Sequence, residues 1–351
     1  MDRHGHPFGY AHSRFVLDVD PRSKRMIRRR HLIAYSCAMI SLLVWQLLFY
    51  LKAFSGLSDF HSDLVYTLGS QVLCMGLIPA AVLLIVGKGN FTANRKLLRY
   101  QPPRDKKACL LICVAVMLLI TPFTMVFNAL TNLFFRVIGY KRVYPVGTVY
   151  LGVKDLFVML FFSALLPAVF EEFCHRGILL SGLEDHGSEY SAVILSGVFF
   201  GLMHANPAQF VYAVFGGMLF AVLVIKTNSI LPAICAHFAN NAVATFLDYS
   251  TQRGTAFGRF YDKITSGASI LSFGVTVLVL ALSVYAVIKL MQYAARKAPK
   301  PIVQRKLLGT VTLDGYVKNG KPTLCDNACL IALAVAEGLL TAILLIWGVA
   351  R

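Results

Sequence analysis

The 351-residue chain is strongly apolar: 57% of its residues are hydrophobic, only 15% are charged, and the mean hydropathy is +0.65. Soluble domains carry about 25% charged residues, so this composition argues against a single large soluble domain and against intrinsic disorder. The net charge of +17 alone would suit a nucleic-acid-binding protein, but the basic residues lie between long apolar runs. The composition therefore predicts a polytopic membrane protein.

The apolar runs predict an all-α bundle of about nine transmembrane helices, because a spanning helix needs roughly 20 mostly apolar residues. The first run is too long for the apolar region of a signal peptide and lacks a small-residue cleavage site, so we expect it to be a retained anchor. The predicted spans are 32–51, 64–87, 108–129, 153–182, 190–204, 208–226, 229–247, 268–293 and 327–349.

Lysine and arginine are concentrated on one side of the predicted bundle. With nine alternating helices, the segments 1–31, 88–107 and 289–321 fall on the same side and hold 23 of the 34 basic residues. The loops on the opposite side hold seven. Because basic loops face the cytoplasm, we predict a cytoplasmic N-terminus and an outer C-terminus.

This arrangement divides the chain into four parts. A basic cytoplasmic tail (1–31) precedes leading transmembrane helices (32–149), a central helical core (150–250) and trailing helices (251–351) with a basic cytoplasmic loop near 294–326. We interpret the basic segments as topology determinants that contact the headgroups of the lipid bilayer. A nucleic-acid partner is not expected, because no folded basic surface with aromatic platforms is evident. No internal repeat is evident either, which disfavours a transporter built from inverted halves.

Ionisable side chains within the predicted spans are concentrated in the central core. Such residues are costly in a membrane and by default indicate a functional site. The last span also contains one, Glu337, to which we assign no role. The core residues of this kind are Glu171, Glu172, Arg176, His204 and His237.

The first motif of the core begins with two adjacent glutamates. Glu172 and Arg176 are four residues apart, so on a helix they share a face and can pair within the membrane. Glu171 points about 100° away and is free of that pair. His175 lies four residues after Glu171 and can share its face, where we expect a hydrogen-bonding or lining role.

Two further helices each present polar groups on one face. The pairs Phe200/His204 and His237/Asn241 both have a spacing of four residues. At 1.5 Å per residue, Glu171, His204 and Asn241 lie roughly 20, 21 and 18 Å from the cytoplasmic ends of their helices, and His237 roughly 12 Å. We therefore expect a carboxylate, two imidazoles and an amide to meet in one buried pocket, rather than only to hydrogen-bond the helices together.

Such a pocket would contain what peptide hydrolysis requires. A carboxylate can activate water, and imidazole and amide groups can stabilise an oxyanion in a water-poor site. A metal-assisted mechanism is the alternative, because Glu171, His204 and His237 are a possible Zn²⁺ ligand set with an open position for water. The usual helical motif His-Glu-x-x-His of zinc proteases is absent. The residues alone leave both mechanisms open.

In order and approximate spacing, the three motifs resemble those of the CPBP (Abi) intramembrane proteases, a family that includes type II CAAX prenyl endopeptidases and bacteriocin-immunity relatives. The words that carry the resemblance are Glu171-Glu172-x-x-x-Arg176-Gly177, Phe200-x-x-x-His204-Ala-Asn206-Pro207 and His237-Phe-Ala-Asn-Asn241. The resemblance covers about residues 150–250, which would then be the catalytic core. It implies that Glu171 is the water-activating base with His204 as its partner, that His237 and Asn241 stabilise the oxyanion, and that Glu172 and Arg176 hold the architecture.

We therefore expect an intramembrane endopeptidase that acts on a peptide or membrane-protein substrate. The alternative is a non-catalytic membrane protein that sequesters a peptide, as in bacteriocin immunity, or assists another membrane protein. The intact set of candidate catalytic residues disfavours this alternative, because a binding protein needs no buried base. By analogy, the short loops suggest a bacterial cell membrane, and a peptide precursor or membrane-protein tail rather than a prenylated CAAX protein as the substrate.

Overall fold

The computed structural model describes residues 21–86, 98–100, 134–141, 149–183, 189–266 and 324–350, together with scattered residues within 107–131 and 274–292. Every regular element in this part of the chain is a helix, which confirms the predicted all-α class. The predicted spans 108–129 and 268–293 and the basic loop near 294–326 fall largely outside the described residues.

We number the helices of the described ranges in chain order. Two of them are not α-helical throughout: the second contains a π-helical segment at Leu68–Leu77, and the third contains two, at Leu160–Leu165 and Phe173–Leu179. The helices are α1 (Pro21–Tyr50), α2 (Asp59–Val86), α3 (Val153–Leu183), α4 (Glu189–Leu202), α5 (Pro207–Thr227), α6 (Leu231–Gln252), α7 (Ala256–Ser266) and α8 (Leu324–Ala350).

Five helices of the described residues are long and apolar enough to cross a membrane: Arg29–Tyr50 of α1, Leu330–Ala350 of α8, and the whole of α2, α3 and α5. They match five of the nine predicted spans and confirm a polytopic helix bundle; the number nine stays a prediction. Helix α4 is apolar but shorter, and α6 has 22 residues but is less apolar.

Local sequence signals set the ends of the helices. At the start of α3, the carboxylate of Asp155 accepts a hydrogen bond from the backbone N–H of Gly152 at 3.0 Å. At the start of α5, the side chain of Asn206 accepts one from the N–H of Ala208 at 3.0 Å, and Pro207 occupies the first turn, where a missing N–H costs nothing. These caps satisfy backbone groups that would otherwise lie unpaired in an apolar environment.

Glycines allow α4 and α5 to pack closely. A Cβ atom on Gly217 would lie 2.9 Å from the Cα of Gly197 and 2.9 Å from the Cβ of Phe200. A Cβ on Gly201 would lie 2.8 Å from the carbonyl oxygen of Phe210. Real Cβ atoms avoid such distances, so these positions require glycine for the two helices to stay in contact.

The main buried core lies where α1, α2 and α3 meet α4, α5 and α6. Helix α6 packs along the first half of α3, and α8 packs against α1, α4 and α5. Within this core, Arg176 is one of the largest fully buried side chains of the described residues. A fully buried guanidinium requires partners for its charge, and these partners define the candidate site.

Candidate active site

The two adjacent glutamates lie at the middle of α3, between its π-helical segments. The α-helical stretch Leu166–Glu172 begins with Pro167 in its first turn, directly after the π-helical segment Leu160–Leu165. A proline cannot donate to the helix ladder, and a π segment is one way in which a helix accommodates the interruption. Both carboxylates are buried, Glu172 completely and Glu171 to 6% exposure.

Glu172 and Arg176 form the pair that their spacing predicts. A guanidinium nitrogen of Arg176 donates to Oε1 of Glu172 at 2.9 Å, and both side chains are fully buried. The other terminal nitrogen donates to the carbonyl oxygen of Gly217 at 2.8 Å, and the guanidinium lies 4.3 Å from the centre of the Phe200 ring. Arg176 therefore compensates a buried carboxylate and also connects α3 to α4 and α5.

His237 of α6 lies between the two glutamates. Its Nδ1 is 2.9 Å from Oε1 of Glu172, and its Nε2 is 3.8 Å from Oε2 of Glu171. Because Oε1 of Glu172 already accepts from Arg176, we place the ring hydrogen on Nδ1, which donates to it. In the neutral ring, Nε2 is then an unprotonated nitrogen facing Glu171 across a gap too long for a direct hydrogen bond.

Glu171 has a hydrogen-bond partner that lies outside its own motif. The amide Nε2 of Gln71, in the π-helical segment of α2, donates to Oε1 of Glu171 at 2.9 Å. Sequence reasoning missed Gln71. The sequence offers one signal for a role of Gln71, which is its polar amide side chain in the middle of an apolar span.

His204 lies in a turn rather than in a membrane helix. Helix α4 ends at Leu202, two residues before the predicted end of this span, and Ala205 takes a left-handed conformation with φ of +43°. Nδ1 of His204 is 2.7 Å from the carbonyl oxygen of Phe200. A carbonyl only accepts, so Nδ1 carries the hydrogen and Nε2 is the free acceptor of the neutral ring.

A second amide, also missed by the sequence reasoning, holds the turn that carries His204. The buried Gln46 of α1 donates from Nε2 to the carbonyl oxygen of Met203 at 2.7 Å. This bond satisfies a carbonyl at the C-terminal end of α4, where helices leave acceptors unpaired. Its only sequence signal was likewise a polar amide within an apolar span.

The aromatic residue of the second motif is the centre of the packing. The Phe200 ring contacts the His204 ring edge-on at 5.2 Å between centroids and the His237 ring at 5.6 Å. The His237 ring also stacks on Phe220 at 5.2 Å. Phe200 thus contacts both imidazoles as well as the Arg176 guanidinium of the buried ion pair.

Asn241 is not joined to the other candidate residues by hydrogen bonds. Its Oδ1 accepts from Nδ2 of the neighbouring Asn240 at 3.0 Å, so its own amide hydrogens point elsewhere. It lies one turn after His237 on α6 and is half-buried. Within the described residues, the structure therefore brings Glu171, Glu172, Arg176 and His237 together through direct contacts, and Asn241 is not part of these contacts.

His175 and Glu337 are two further buried ionisable residues of the described part of the chain. Nε2 of His175 is 2.9 Å from the sulfur of Met203, and its ring packs edge-on against Tyr35 of α1 at 5.3 Å. No hydrogen bond connects His175 to Glu171 in the described part of the chain, and its lining role stays a prediction. Glu337 of α8 is buried, and its Oε2 has no hydrogen-bond partner among the described residues.

The proposed zinc ligands only partly fit a metal. Both imidazoles present an unprotonated Nε2 with Nδ1 bound to an oxygen, the arrangement found in metal-binding histidines. However, no three His, Cys, Asp or Glu side chains of the described residues are grouped closely enough to hold an ion. As placed, Glu171, His204 and His237 do not form a Zn²⁺ site, so we derive no step through a metal.

Comparison with known proteins agrees with the motifs. Residues 153–243 match the family model described as type II CAAX prenyl endopeptidase Rce1-like. The match contains α4 and α5 entirely, α3 throughout, and the part of α6 that carries His237 and Asn241. No curated protein and no solved structure matches the chain.

Proposed function

We propose that the chain, whose residues 153–243 match the type II CAAX prenyl endopeptidase Rce1-like model, is an intramembrane endopeptidase of the CPBP family in which Glu171 activates the attacking water. One observation carries this proposal. A buried carboxylate has one oxygen fixed by an amide donor, and its other oxygen faces the unprotonated Nε2 of His237 at 3.8 Å. That gap is too long for a direct hydrogen bond, so Oε2 stays available to accept from a water molecule beside it.

In the proposed reaction, Glu171 Oε2 takes a proton from the water as the water oxygen bonds to the carbonyl carbon of the substrate. His204 accepts a second hydrogen bond from the same water through its free Nε2 and so orients it. As the tetrahedral intermediate collapses, the C–N bond breaks and the leaving amine nitrogen receives the proton from Glu171. The proton balance closes without any group beyond these side chains and the substrate.

The oxyanion needs hydrogen-bond donors, and two side chains of α6 can supply them. Asn241 has its amide oxygen bound to Asn240, which leaves its amide hydrogens available. His237 can also donate from Nε2 once a hydrogen is bound to that nitrogen. We assign Asn241 as a donor throughout the reaction. His237 joins it while its Nε2 holds the proton that Glu171 took from the water, and it returns this proton to Glu171 before the C–N bond breaks.

Glu172 and Arg176 have a structural role in this proposal. They fix the face of α3 and the tautomer of His237, and neither contacts the reacting atoms. The substrate is a peptide or the terminal segment of a membrane protein, since the candidate base is buried within a membrane helix. The short loops favour a bacterial cell membrane as the location.

The experiment compares membrane-peptide profiles of cells expressing wild-type protein, Glu171→Gln or Glu337→Gln. Glu337 is the matched control, because it is another buried glutamate of a spanning helix that lies outside the proposed site. We expect Glu171→Gln alone to change which peptides accumulate and to abolish cleavage by purified protein in lipid nanodiscs. Wild-type cleavage rates in Glu171→Gln would contradict the assignment. A peptide that binds the wild type and is cleaved by none of the three proteins would favour the sequestering alternative.

A further inference from the structure

The family match begins at residue 153, but a contact of the proposed base comes from a helix well before it. Gln71 lies in the π-helical segment Leu68–Leu77 of α2, one hundred residues before Glu171 along the chain. Its side chain is 9% exposed, and its Nε2 donates to Oε1 of Glu171 at 2.9 Å. Nothing in the motifs of the central core requires or predicts this contact.

The π-helical geometry of α2 places Gln71 against α3. In a π-helix, hydrogen bonds join residues five apart, so such residues lie near one another on the helix surface. Gly76, five residues after Gln71, lies against the ring of Phe170, where a Cβ atom would be 2.7 Å from Cδ1. The absence of a side chain at Gly76 thus lets α2 approach α3 next to Glu171, within reach of the Gln71 amide.

The contact constrains how the carboxylate of Glu171 is turned. A glutamate side chain has three rotatable torsions, and in a pocket without donors its two oxygens are interchangeable. The Gln71 amide binds Oε1 only, and Oε2 is then the oxygen that faces His237 at 3.8 Å. The amide oxygen of Gln71 has no hydrogen-bond partner among the described residues, so the side chain contributes its donor end alone.

We propose that Gln71 is a positioning residue that holds the Glu171 carboxylate with Oε2 directed toward the water and His237. This inference rests on the proposed function of Glu171 as the base. It also means that the catalytic arrangement extends beyond the matched segment to the leading transmembrane helices. A base displaced by about 1 Å can lose about 100-fold in rate, so such a residue would act on kcat rather than on substrate binding.

The test uses the full chain in lipid nanodiscs and replaces Gln71 by methionine, which has similar length and no N–H donor. Gln46→Met is the matched control, because it removes a buried amide from α1 that binds Met203 rather than Glu171. Infrared difference spectra against Glu171→Gln, taken in each background, isolate the carboxyl band of Glu171. We expect Gln71→Met to shift this band and Gln46→Met to leave it in place. An unchanged band in Gln71→Met would overturn the inference.

Cleavage of internally quenched peptides, with and without a farnesylated C-terminus, provides the second measurement. We expect Gln71→Met to lower kcat about 10- to 100-fold with an unchanged KM. A raised KM with normal kcat would contradict a positioning role.

If the wild type cleaves no peptide, the proposed function fails while the infrared result still decides the contact. Should Gln71→Met not fold, Gln71→Asn keeps the buried amide but shortens its reach, and must shift the band in the same way.

Discussion

Replacing Arg176 by methionine tests how the buried charges hold the site together. The change keeps an unbranched side chain about as long as the aliphatic part of arginine, but it removes the guanidinium that binds Glu172 at 2.9 Å and the Gly217 carbonyl at 2.8 Å. Glu172 would then be a fully buried carboxylate with His237 as its remaining partner. Breaking a buried ion pair in this way costs about 3–5 kcal/mol, so we expect a large loss of stability.

The reverse change, Glu172→Gln, leaves the positive charge of Arg176 in the core with the Gly217 carbonyl as its hydrogen-bond partner. We expect a loss of similar size. In the double variant neither charge is left alone, so its destabilisation should be smaller than the sum of the two single effects by about 0.5–3 kcal/mol. Thermal unfolding of the wild type, both single variants and the double variant in detergent measures this coupling.

Glu171→Gln is the control in the same assay. Its amide keeps a carbonyl oxygen that can still accept from Gln71, so we expect near-wild-type stability together with lost cleavage. Strict additivity of the Arg176 and Glu172 effects would refute the pairing argument. Unfolding of Glu171→Gln as severe as that of Glu172→Gln would refute the division of roles between the two carboxylates.

Three other predictions follow from the packing, the ligand geometry and the loop charges. Gly217→Ala should destabilise the protein by about 1–3 kcal/mol through overpacking, whereas the adjacent Gly216→Ala, with open space around it, should not, as thermal unfolding will measure. Cleavage should persist after exhaustive chelation, and stoichiometric zinc lost together with activity in His204→Ala would contradict this. Cysteines introduced at Arg99 and Lys141 should be labelled from opposite sides of the membrane, and labelling from the same side would refute the nine-span topology.

The features that the sequence predicts correctly are local. Hydropathy identifies the five spans because each is a continuous apolar run, and helix geometry alone places Glu172 beside Arg176. The motif around His204 also has a local explanation, since Asn206 caps the following helix and Pro207 starts it. Such features depend on a few neighbouring residues, which a sequence shows directly.

The features that sequence reasoning missed depend on which helices meet. Gln71 and Gln46 lie in apolar runs with no motif around them, and only the packing of α2 and α1 brings them to Glu171 and Met203. The π-helical segments shift the face that each helix presents, and a periodicity of 3.6 residues does not predict them. The position of His204 also differed, because α4 ends at Leu202 and His204 lies in the turn that precedes the left-handed Ala205.

The cost of placing polar side chains in a membrane bundle connects the fold and the site. Helix α6 has the length of a membrane span yet falls short on apolarity, and it is the helix that supplies His237, Asn240 and Asn241. Polar side chains of this kind are tolerated in a bundle only where they face protein or water rather than lipid. His237 faces protein because its ring contacts Glu172. Glu171 faces protein because it accepts a hydrogen bond from Gln71, a residue of the leading helices. The polar groups of the central core therefore depend on the leading helices for their burial and for a hydrogen-bond partner, which is why residues far from the family motifs take part in the site.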